Sequence, residues 1–339
     1  MRLGTTLLAA LVSSGALCAQ AKPLRIIATI PDLASIAKAV GKDRVQVTSI
    51  IVGARDPHRI EAKPSFISRA ASSDVWLAVG IDLEVGYEPL ILEGARNRRI
   101  VPGAPGHIHA SQWVPIRDVP SGPVTRAMGD IHPEGNPHIW LDPFNGRTIA
   151  LRLAERLGEI APSDLAYFRS NAETFARQVD EAMFGAALVA KFGGARLWDW
   201  DNNDKLVENL RSEDALALLG GWAAKMRPHW GKPVVTYHRS WPYFASRFGL
   251  KVVAELEPKP GIEPTPGHVA NVIKTVQQRS VKAILQEPFY STRNGKFVAG
   301  RTGAELVVVP QSVGQVPSAG DYIGLFDVLV GKISAALGK

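Results

Sequence analysis

Cysteine is almost absent from this 339-residue sequence, in which Cys18 is the only one. A single cysteine forms no disulfide within the chain, and no set of thiolates is available to hold a metal ion. Zinc fingers and most sites for soft metal ions are therefore excluded. Any metal site has to use nitrogen and oxygen ligands, which proteins supply mainly from imidazole and carboxylate groups.

The sequence also lacks a strong excess of one sign of charge. It contains 39 Lys and Arg against 32 Asp and Glu, for a formal net charge of +7. The basic residues are scattered, with only short clusters such as 96–99, and aromatic residues do not alternate with them. Because nucleic-acid-binding surfaces gather their basic residues into a patch or stripe, we expect a solvated surface and no nucleic-acid partner.

No apolar run at the N-terminus is long enough to span a bilayer comfortably. Residues 1–21 combine a basic start, a modest apolar stretch over 7–17 and small residues at the end, which is the pattern of a secretory signal. We predict cleavage after Ala21 and export of a soluble mature chain. A retained membrane anchor is one alternative. Lipid attachment at Cys18 is another, although Leu17 stands where that signal needs a small residue.

The predicted mature chain of about 318 residues suggests two domains, since single cores rarely grow beyond ~250–300 residues. Continuous apolar runs rich in β-branched residues alternate with helical patterns in the first and the last third of the chain. Seven strands are predicted, at 24–30, 45–51, 74–80, 232–238, 250–257, 281–288 and 304–310. This alternation predicts an α/β fold with two lobes, each a parallel-type sheet flanked by helices, joined by a long linking helix.

The predicted division of the chain follows from the same patterns. The linking segment keeps apolar residues at helical spacing on both sides of Pro162, which allows one helix or two. Residues 193–230, rich in Trp, Asp and Asn, are predicted to be irregular and to end in a helix near 213–226. The parts are a signal peptide at 1–21, an N-terminal metal-binding lobe at 22–145, a linking helical segment at 146–192 and a C-terminal metal-binding lobe at 193–339.

Three histidines, His58, His138 and His238, follow predicted strands or lie in the adjoining loops, 80 and 100 residues apart. Ligands in open α/β sheets bind at the carboxyl ends of the strands. A single histidine there is more often a cap or a surface residue, but three in comparable positions favour a metal site. Imidazole suits zinc, and also manganese when carboxylates join it. Glu287, at the end of another strand, is the candidate fourth ligand, or else a carboxylate that orients a ligand.

Four segments carry a resemblance to a known family: DPHRIEAKPS, NPHIWLDP, VVTYHRSWPYFASRFGL and ILQEPFYS, in this order. Together they resemble the solute-binding proteins of zinc and manganese ABC importers, over nearly the whole mature chain. The resemblance implies two α/β lobes linked by a long rigid helix, with one metal ion at the lobe interface. It implies capture of that ion in the periplasm and delivery to a membrane permease. His58, His138 and His238 match the three histidine ligands of the family.

One segment departs from the family pattern. Many members place an acidic fourth ligand after the last strand, where this chain has VVVPQSVG with Pro310 and Gln311. The fourth ligand is then Glu287, water or another carboxylate, for which Asp327 is a weaker candidate. A site without that acid favours zinc over manganese, because manganese prefers a harder set of ligands.

Three further histidines lie in segments predicted to be loops, His107 and His109 in GHIHAS and His132 in GDIHPEG. The family often carries extra histidines near the mouth of its site. We predict an accessory, low-affinity collecting role for these three, against the simpler interpretation that they are surface residues.

Two other functions compete with metal capture. His58 and Glu61 form H-x-x-E with His138 downstream, which is similar to the ligand set of a zinc-dependent hydrolase. Hydrolysis needs an open coordination position, which His238 would close. A metal-binding surface or adhesion protein is the second alternative. The sequence favours capture and delivery of an ion by a monomer, without catalysis.

Overall fold

The computed structural model of the chain describes residues 22–123, 125, 131–259 and 261–339. The predicted signal peptide, its cleavage site and Cys18 lie outside the described residues, as do Gly129 and Asp130 of the GDIHPEG segment. Among the residues that are described, no helix has the length and apolar character required to cross a membrane.

The N-terminal lobe contains a four-stranded parallel sheet in the order β2-β1-β3-β4. Its strands are β1 (Leu24–Ala28), β2 (Val45–Ser49), β3 (Val75–Ala78) and β4 (His107–His109), and its helices are α1 (Pro31–Gly41), α2 (Pro64–Ala71) and α3 (Glu88–Ala95). Strand β3 is buried along its whole length, as expected for a strand covered on both faces. Strand β4 is an edge strand, and the prediction of a loop over GHIHAS was therefore wrong.

The linking segment consists of two long helices, α4 (Pro143–Ile160) and α5 (Leu165–Phe184), followed by α6 (Ala186–Phe192). Helix α4 begins where the Asp142 side chain accepts a hydrogen bond from the Phe144 N–H and where proline occupies the first helical position. It ends just before Pro162, and the chain then turns into α5, which packs along α4. Helix α5 also contacts α1 of the N-terminal lobe and the helix Gly221–Met226, so the hairpin lies against both halves of the molecule.

Residues 193–230 are largely helical, and the prediction of an irregular segment was wrong. They form α7 (Gly194–Asn202), α8 (Leu206–Ser212) and α9 (Gly221–Met226). The polar residues in this segment mark helix ends. Trp198 is buried against the hairpin, and Trp222 is buried against the last helix, Tyr322–Leu337. Burial of these large side chains stabilises short helices whose intrinsic propensity is weak.

The C-terminal lobe repeats the strand order of the first, with a parallel sheet arranged β6-β5-β7-β8. Its elements are β5 (Pro233–Thr236), β6 (Lys251–Glu255), β7 (Ala283–Gln286), β8 (Glu305–Val308), α10 (Pro242–Arg247), α11 (Pro266–Gln278), α12 (Arg293–Thr302) and α13 (Tyr322–Leu337). All seven predicted strands are present, each a little shorter than predicted. The two-lobe α/β architecture is confirmed.

Buried polar contacts join the two lobes directly. Asp32, near the start of α1, accepts hydrogen bonds from the Ser312 hydroxyl and from the Val313 N–H of the C-terminal lobe. Burial raises the pKa of Asp32 to about 7, even though these hydrogen bonds work in the opposite direction. Trp140 donates to the Gln311 carbonyl at 2.7 Å. One hydrophobic core extends from the first sheet through the hairpin into the second lobe, which fixes the lobes relative to each other.

Candidate metal centre

His58, His138 and His238 converge between the lobes, and one potential ligand atom from each lies within 4.8 Å of the other two. His58 lies in a short 3-10 turn that begins at Asp56, whose carboxylate accepts the His58 N–H at 3.0 Å. His138 immediately precedes the buried turn Ile139–Leu141. His238 lies two residues beyond the end of β5. Two lobes thus contribute to one cluster.

The Nδ1 atom of each ring has a polar partner. The pairs are His238 with Glu257 Oε2 at 2.6 Å, His138 with Asn136 Oδ1 at 2.9 Å, and His58 with His132 Nε2 at 3.3 Å. These contacts orient the rings through Nδ1 and leave Nε2 of each ring as the nitrogen that can bind an ion. The Nε2 atoms of His58 and His138 are 3.4 Å apart. Hydrogen bonds of this kind at the second nitrogen are typical of histidines that bind metal ions.

Asn136 connects the two lobes at the cluster. Its Oδ1 atom accepts hydrogen bonds from both the backbone N–H and the ring of His138, while its Nδ2 donates to the Arg239 carbonyl at 2.8 Å. Arg239 directly follows His238. The Tyr243 hydroxyl donates to the Asn136 carbonyl at 2.8 Å, so the backbone of this segment is held as well.

The electrostatic environment keeps two of the rings neutral. Burial, together with the neighbouring imidazoles, holds the pKa of His58 and the pKa of His138 well below the ordinary histidine value. Burial also disfavours the charged form of His238, but its hydrogen bond to Glu257 and the charges of Glu287 and Glu257 outweigh this effect, and the pKa of His238 is raised. Neutral imidazole is the form that binds a metal ion.

The cluster lines a cavity of about 520 Å³. His132 contributes to the wall of this cavity, where its ring lies 5.1 Å from the ring of His58 between centroids. Arg239 and Asp118 form an ion pair at 3.1 Å across the lobes, and both side chains are partly exposed. The cavity therefore lies at the junction of the two lobes.

Glu287 lies beside the cluster but is not one of the side chains whose ligand atoms are mutually within 4.8 Å. Its Oε1 atom accepts hydrogen bonds from the Ser240 hydroxyl at 2.7 Å and from Trp241 Nε1 at 2.9 Å. Its Oε2 atom is buried and has no hydrogen-bond partner among the described residues. Burial raises the pKa of Glu287 to about 7, whereas the nearby His238 acts to lower it.

Two further positions bear on the fourth ligand. Gln311 is buried, and its Oε1 atom has no hydrogen-bond partner in the part of the chain that is described. Asp327 lies on α13, where it accepts a hydrogen bond from Trp222 Nε1 at 2.8 Å. It is not part of the histidine cluster.

Glu61 is exposed and is not grouped with the three histidines. The ligand set of the hydrolase alternative, His58 with Glu61 and His138, is therefore not assembled. His238 takes the third place in the cluster instead.

The three accessory histidines separate into two places. His132 contacts His58 of the central cluster. His107 and His109 instead lie on β4 and contact Glu88 at the start of α3. These two histidines and Glu88 form a second group whose potential ligand atoms are all within 4.8 Å of one another.

Three residues that contact these histidines were not predicted as site residues from the sequence: Asn136, Glu257 and Glu88. Asn136 belongs to the NPH motif, and Glu257 ends a predicted strand, so both carried a positional signal. Glu88 carried no such signal, because its partners lie 19 and 21 residues later in the chain, on a strand that was not predicted.

Comparisons with known proteins place the chain among metal-transport proteins by sequence and by fold. The family model "ZnuA: Zinc-uptake complex component A periplasmic" matches residues 26–183 and 208–336. The manganese ABC transporter substrate-binding lipoprotein PsaA of Streptococcus mitis is 21% identical over 324 residues, covering 95% of this chain and 91% of that protein. The high-affinity zinc uptake system protein ZnuA of Brucella abortus is 24% identical over 172 residues, covering 51% and 41%.

A solved structure is similar over almost the full length of the chain. The crystal structure of ZnuA superposes with a TM-score of 0.66 at 19% sequence identity, covering 93% of this chain and 100% of that one. At this identity the similarity establishes the fold alone.

Proposed function

We propose that this chain, which belongs to the family of periplasmic zinc-uptake complex component A proteins, captures a divalent transition-metal ion between its lobes and delivers it to the permease of an ABC importer. The observation that carries this proposal is the set of three imidazoles whose Nδ1 atoms are all held by other side chains. Such rings are oriented before the ion arrives, so binding requires little rearrangement.

Zinc is the proposed ion. Three imidazole ligands suit zinc, whereas manganese prefers a larger share of carboxylate oxygen. Relatives of this chain are named for both metals, as a manganese transporter component in one case and a zinc uptake protein in another. The choice of zinc therefore rests on the donor atoms of this chain.

Glu287 is the proposed fourth ligand, through its Oε2 atom. A buried carboxylate oxygen without a hydrogen-bond partner is unfavourable, and coordination of a cation would compensate for it. The contacts at Oε1 would meanwhile hold the carboxylate in place. A negative ligand also reduces the net charge of a zinc ion bound by three neutral rings.

The proposed location is the periplasm, reached through the signal peptide predicted at 1–21. The proposed partner is the membrane permease of the importer. All three histidines come from one chain, so a monomer suffices to hold the ion.

Metal analysis of the protein, purified without added metal, tests this function directly. We expect zinc in the purified protein, and tighter binding of zinc than of manganese when each is titrated against a competing chelator. The His58→Ala/His138→Ala/His238→Ala variant should lose this high-affinity binding, while His268→Ala, a histidine outside both groups, should retain it. Tight binding that survives the triple substitution would contradict the proposal.

A further inference from the structure

A compact group of side chains lies at the edge of the N-terminal sheet, away from the three central histidines. The Oε1 atom of Glu88 is 2.8 Å from His107 Nε2 and 3.0 Å from His109 Nε2. The rings of the two histidines are 4.7 Å apart between centroids. We call these three residues the edge cluster.

The edge cluster is a product of strand geometry. His107 and His109 are two residues apart on β4, and alternate side chains of a strand point to the same face. Ile108 between them points the other way and is fully buried. Glu88 stands at the first position of α3, which brings its carboxylate to the same face.

A neighbouring glycine makes room for one of the histidines. Gly80 has a φ of +84°, and a Cβ atom placed on it would lie 3.0 Å from the Cβ of His109 and 2.7 Å from the Ser111 hydroxyl. The position therefore requires glycine both for its backbone conformation and for the close approach of β4.

We propose that Glu88, His107 and His109 form a second metal-binding site, for a divalent transition-metal ion such as zinc. Two imidazole nitrogens and one carboxylate oxygen are a set that binds zinc and similar ions, with positions left for water. Ligand atoms bonded to zinc at about 2.0–2.2 Å in a tetrahedral site are about 3.3–3.6 Å apart. The observed separations of 2.8 and 3.0 Å would have to widen by about 0.3–0.8 Å, which small side-chain rotations can supply.

The surroundings of the edge cluster leave its ligand atoms accessible to an ion. Glu84, four residues before Glu88, is buried, and its two oxygens already accept hydrogen bonds from the Thr29 hydroxyl and from the N–H groups of Val79 and Gly80. Glu84 therefore does not compete as a ligand. His109 keeps 39% of its side chain exposed, against 11% for His107, so an ion can reach the group from solvent.

One segment of the chain approaches both sites. His132 contacts His58 of the central cluster. Two residues further on, the carboxylate of Glu134 acts on the edge cluster. The pKa of His109 is raised, chiefly by its hydrogen bond to Glu88 and also by the charges of Glu84 and Glu134. A carboxylate of the segment that lines the central cavity thus adds to the negative charge around the edge cluster.

Zinc stoichiometry tests the second site. The protein is stripped with a chelator and titrated with zinc by calorimetry. We expect two equivalents for the unchanged chain, and loss of one equivalent in His107→Ala/His109→Ala and in Glu88→Gln. The His58→Ala/His238→Ala protein should still bind the equivalent that belongs to the edge cluster. The matched control His268→Ala should bind two, because the His268 ring bonds the Glu255 carbonyl and belongs to neither metal-binding group.

The choice of zinc as the probe rests on the proposed function, but the two claims fail separately. If the edge-cluster variants bind as many equivalents as the unchanged chain, the second site is refuted and the central site is unaffected. If His58→Ala/His238→Ala binds as many as the unchanged chain, the proposed function is refuted instead. Glu88→Gln keeps the size of the side chain, so it separates loss of a ligand from loss of folding, which circular dichroism without metal monitors.

Discussion

The Nε2 atoms of His58 and His138 lie 3.4 Å apart, although 80 residues separate the two histidines along the chain. Two nitrogens bonded to one zinc ion at about 2.0–2.1 Å in a tetrahedral site are about 3.3–3.4 Å apart. The two rings therefore already stand at the spacing of two zinc ligands. Folding itself offsets the unfavourable free energy of bringing these imidazoles together, before any ion is bound.

Removing two central histidines should abolish most of the stabilisation that zinc gives. A ligand that binds only the folded state stabilises it by about 4 kcal/mol at a thousand times its Kd. We expect a large rise in the melting temperature of the unchanged protein with zinc, and a small one for His58→Ala/His238→Ala. Differential scanning fluorimetry measures both. His268→Ala serves as the control, and a full-sized shift in the double variant would count against the central site.

Glu257→Gln should weaken zinc binding by roughly 10- to 100-fold, the range typical for loss of a residue that orients a metal ligand. Glu257 Oε2 holds His238 Nδ1 at 2.6 Å, and an amide oxygen still accepts this bond but without the negative charge. Competition with a fluorescent chelator measures the change in Kd. Glu263→Gln is the matched control, because Glu263 is exposed and nearby. Equal zinc affinities for the two variants would show that Glu257 does not contribute to zinc binding.

Glu287→Gln tests the fourth ligand. If Oε2 binds the ion, the substitution should weaken zinc binding by at least about tenfold, since one of four ligands is lost. Ser240→Ala removes a hydrogen bond at Oε1 only and should have a much smaller effect. Similar losses for both variants, measured in the same competition assay, would indicate that Glu287 acts by orienting its neighbours.

Asp32→Asn should change how stability depends on pH. The pKa of Asp32 is raised to about 7 in the folded protein, above its value of about 3.9 when unfolded, so the folded state favours the neutral acid. The stability due to the neutral acid is complete below pH ~4 and is lost as pH rises toward ~7. Asparagine is neutral at all pH values.

The free energy of unfolding of Asp32→Asn minus that of the unchanged protein should therefore increase between pH 5 and pH 8, by roughly 1–3 kcal/mol. Urea unfolding in the presence of a chelator measures it, and the difference cancels the titration of the histidines. A difference that stays constant with pH would contradict the assigned direction of the pKa of Asp32.

Arg247→Met should be strongly destabilising. Arg247 is buried and makes two bonds to Asp142, at 2.8 and 2.9 Å, as well as an ion pair with Asp201. Its loss leaves two carboxylates without their cation, which costs about 3–5 kcal/mol for a buried pair. Arg169→Met is the control, since its pair with Glu155 is exposed and such pairs contribute about 0–1 kcal/mol. Equilibrium unfolding that ranks the two variants equally would refute this prediction.

The strands were predictable because runs such as LRIIATI are apolar and β-branched over the length of a buried strand. Strand β4 was not predictable from the sequence, because it has only three residues and two of them are histidines. Its pairing with β3 is a tertiary contact, and short polar segments carry little signal of their own. The same holds for the helices over 193–230, which are stabilised when their tryptophans pack against residues outside the segment.

The convergence of the three central histidines was predictable because each lies in a segment that resembles the pattern of the family. The residues that orient the three rings were only partly predictable from the sequence. Glu257 and Asn136 occupy positions near strand ends and motifs, but the sequence does not say which ring nitrogen they contact. Glu88 pairs with two histidines about twenty residues away, and that meeting depends on how α3 packs beside β4.

Asn136 links the orientation of the His138 ring to the position of His238. A movement of the second lobe that carried His238 away would also break the bond from Asn136 Nδ2 to the Arg239 carbonyl. The Asn136 side chain could then rotate, and the ring of His138 would lose the acceptor that fixes it. Under the proposed function, an ion held by both rings would therefore be released by His138 and His238 together.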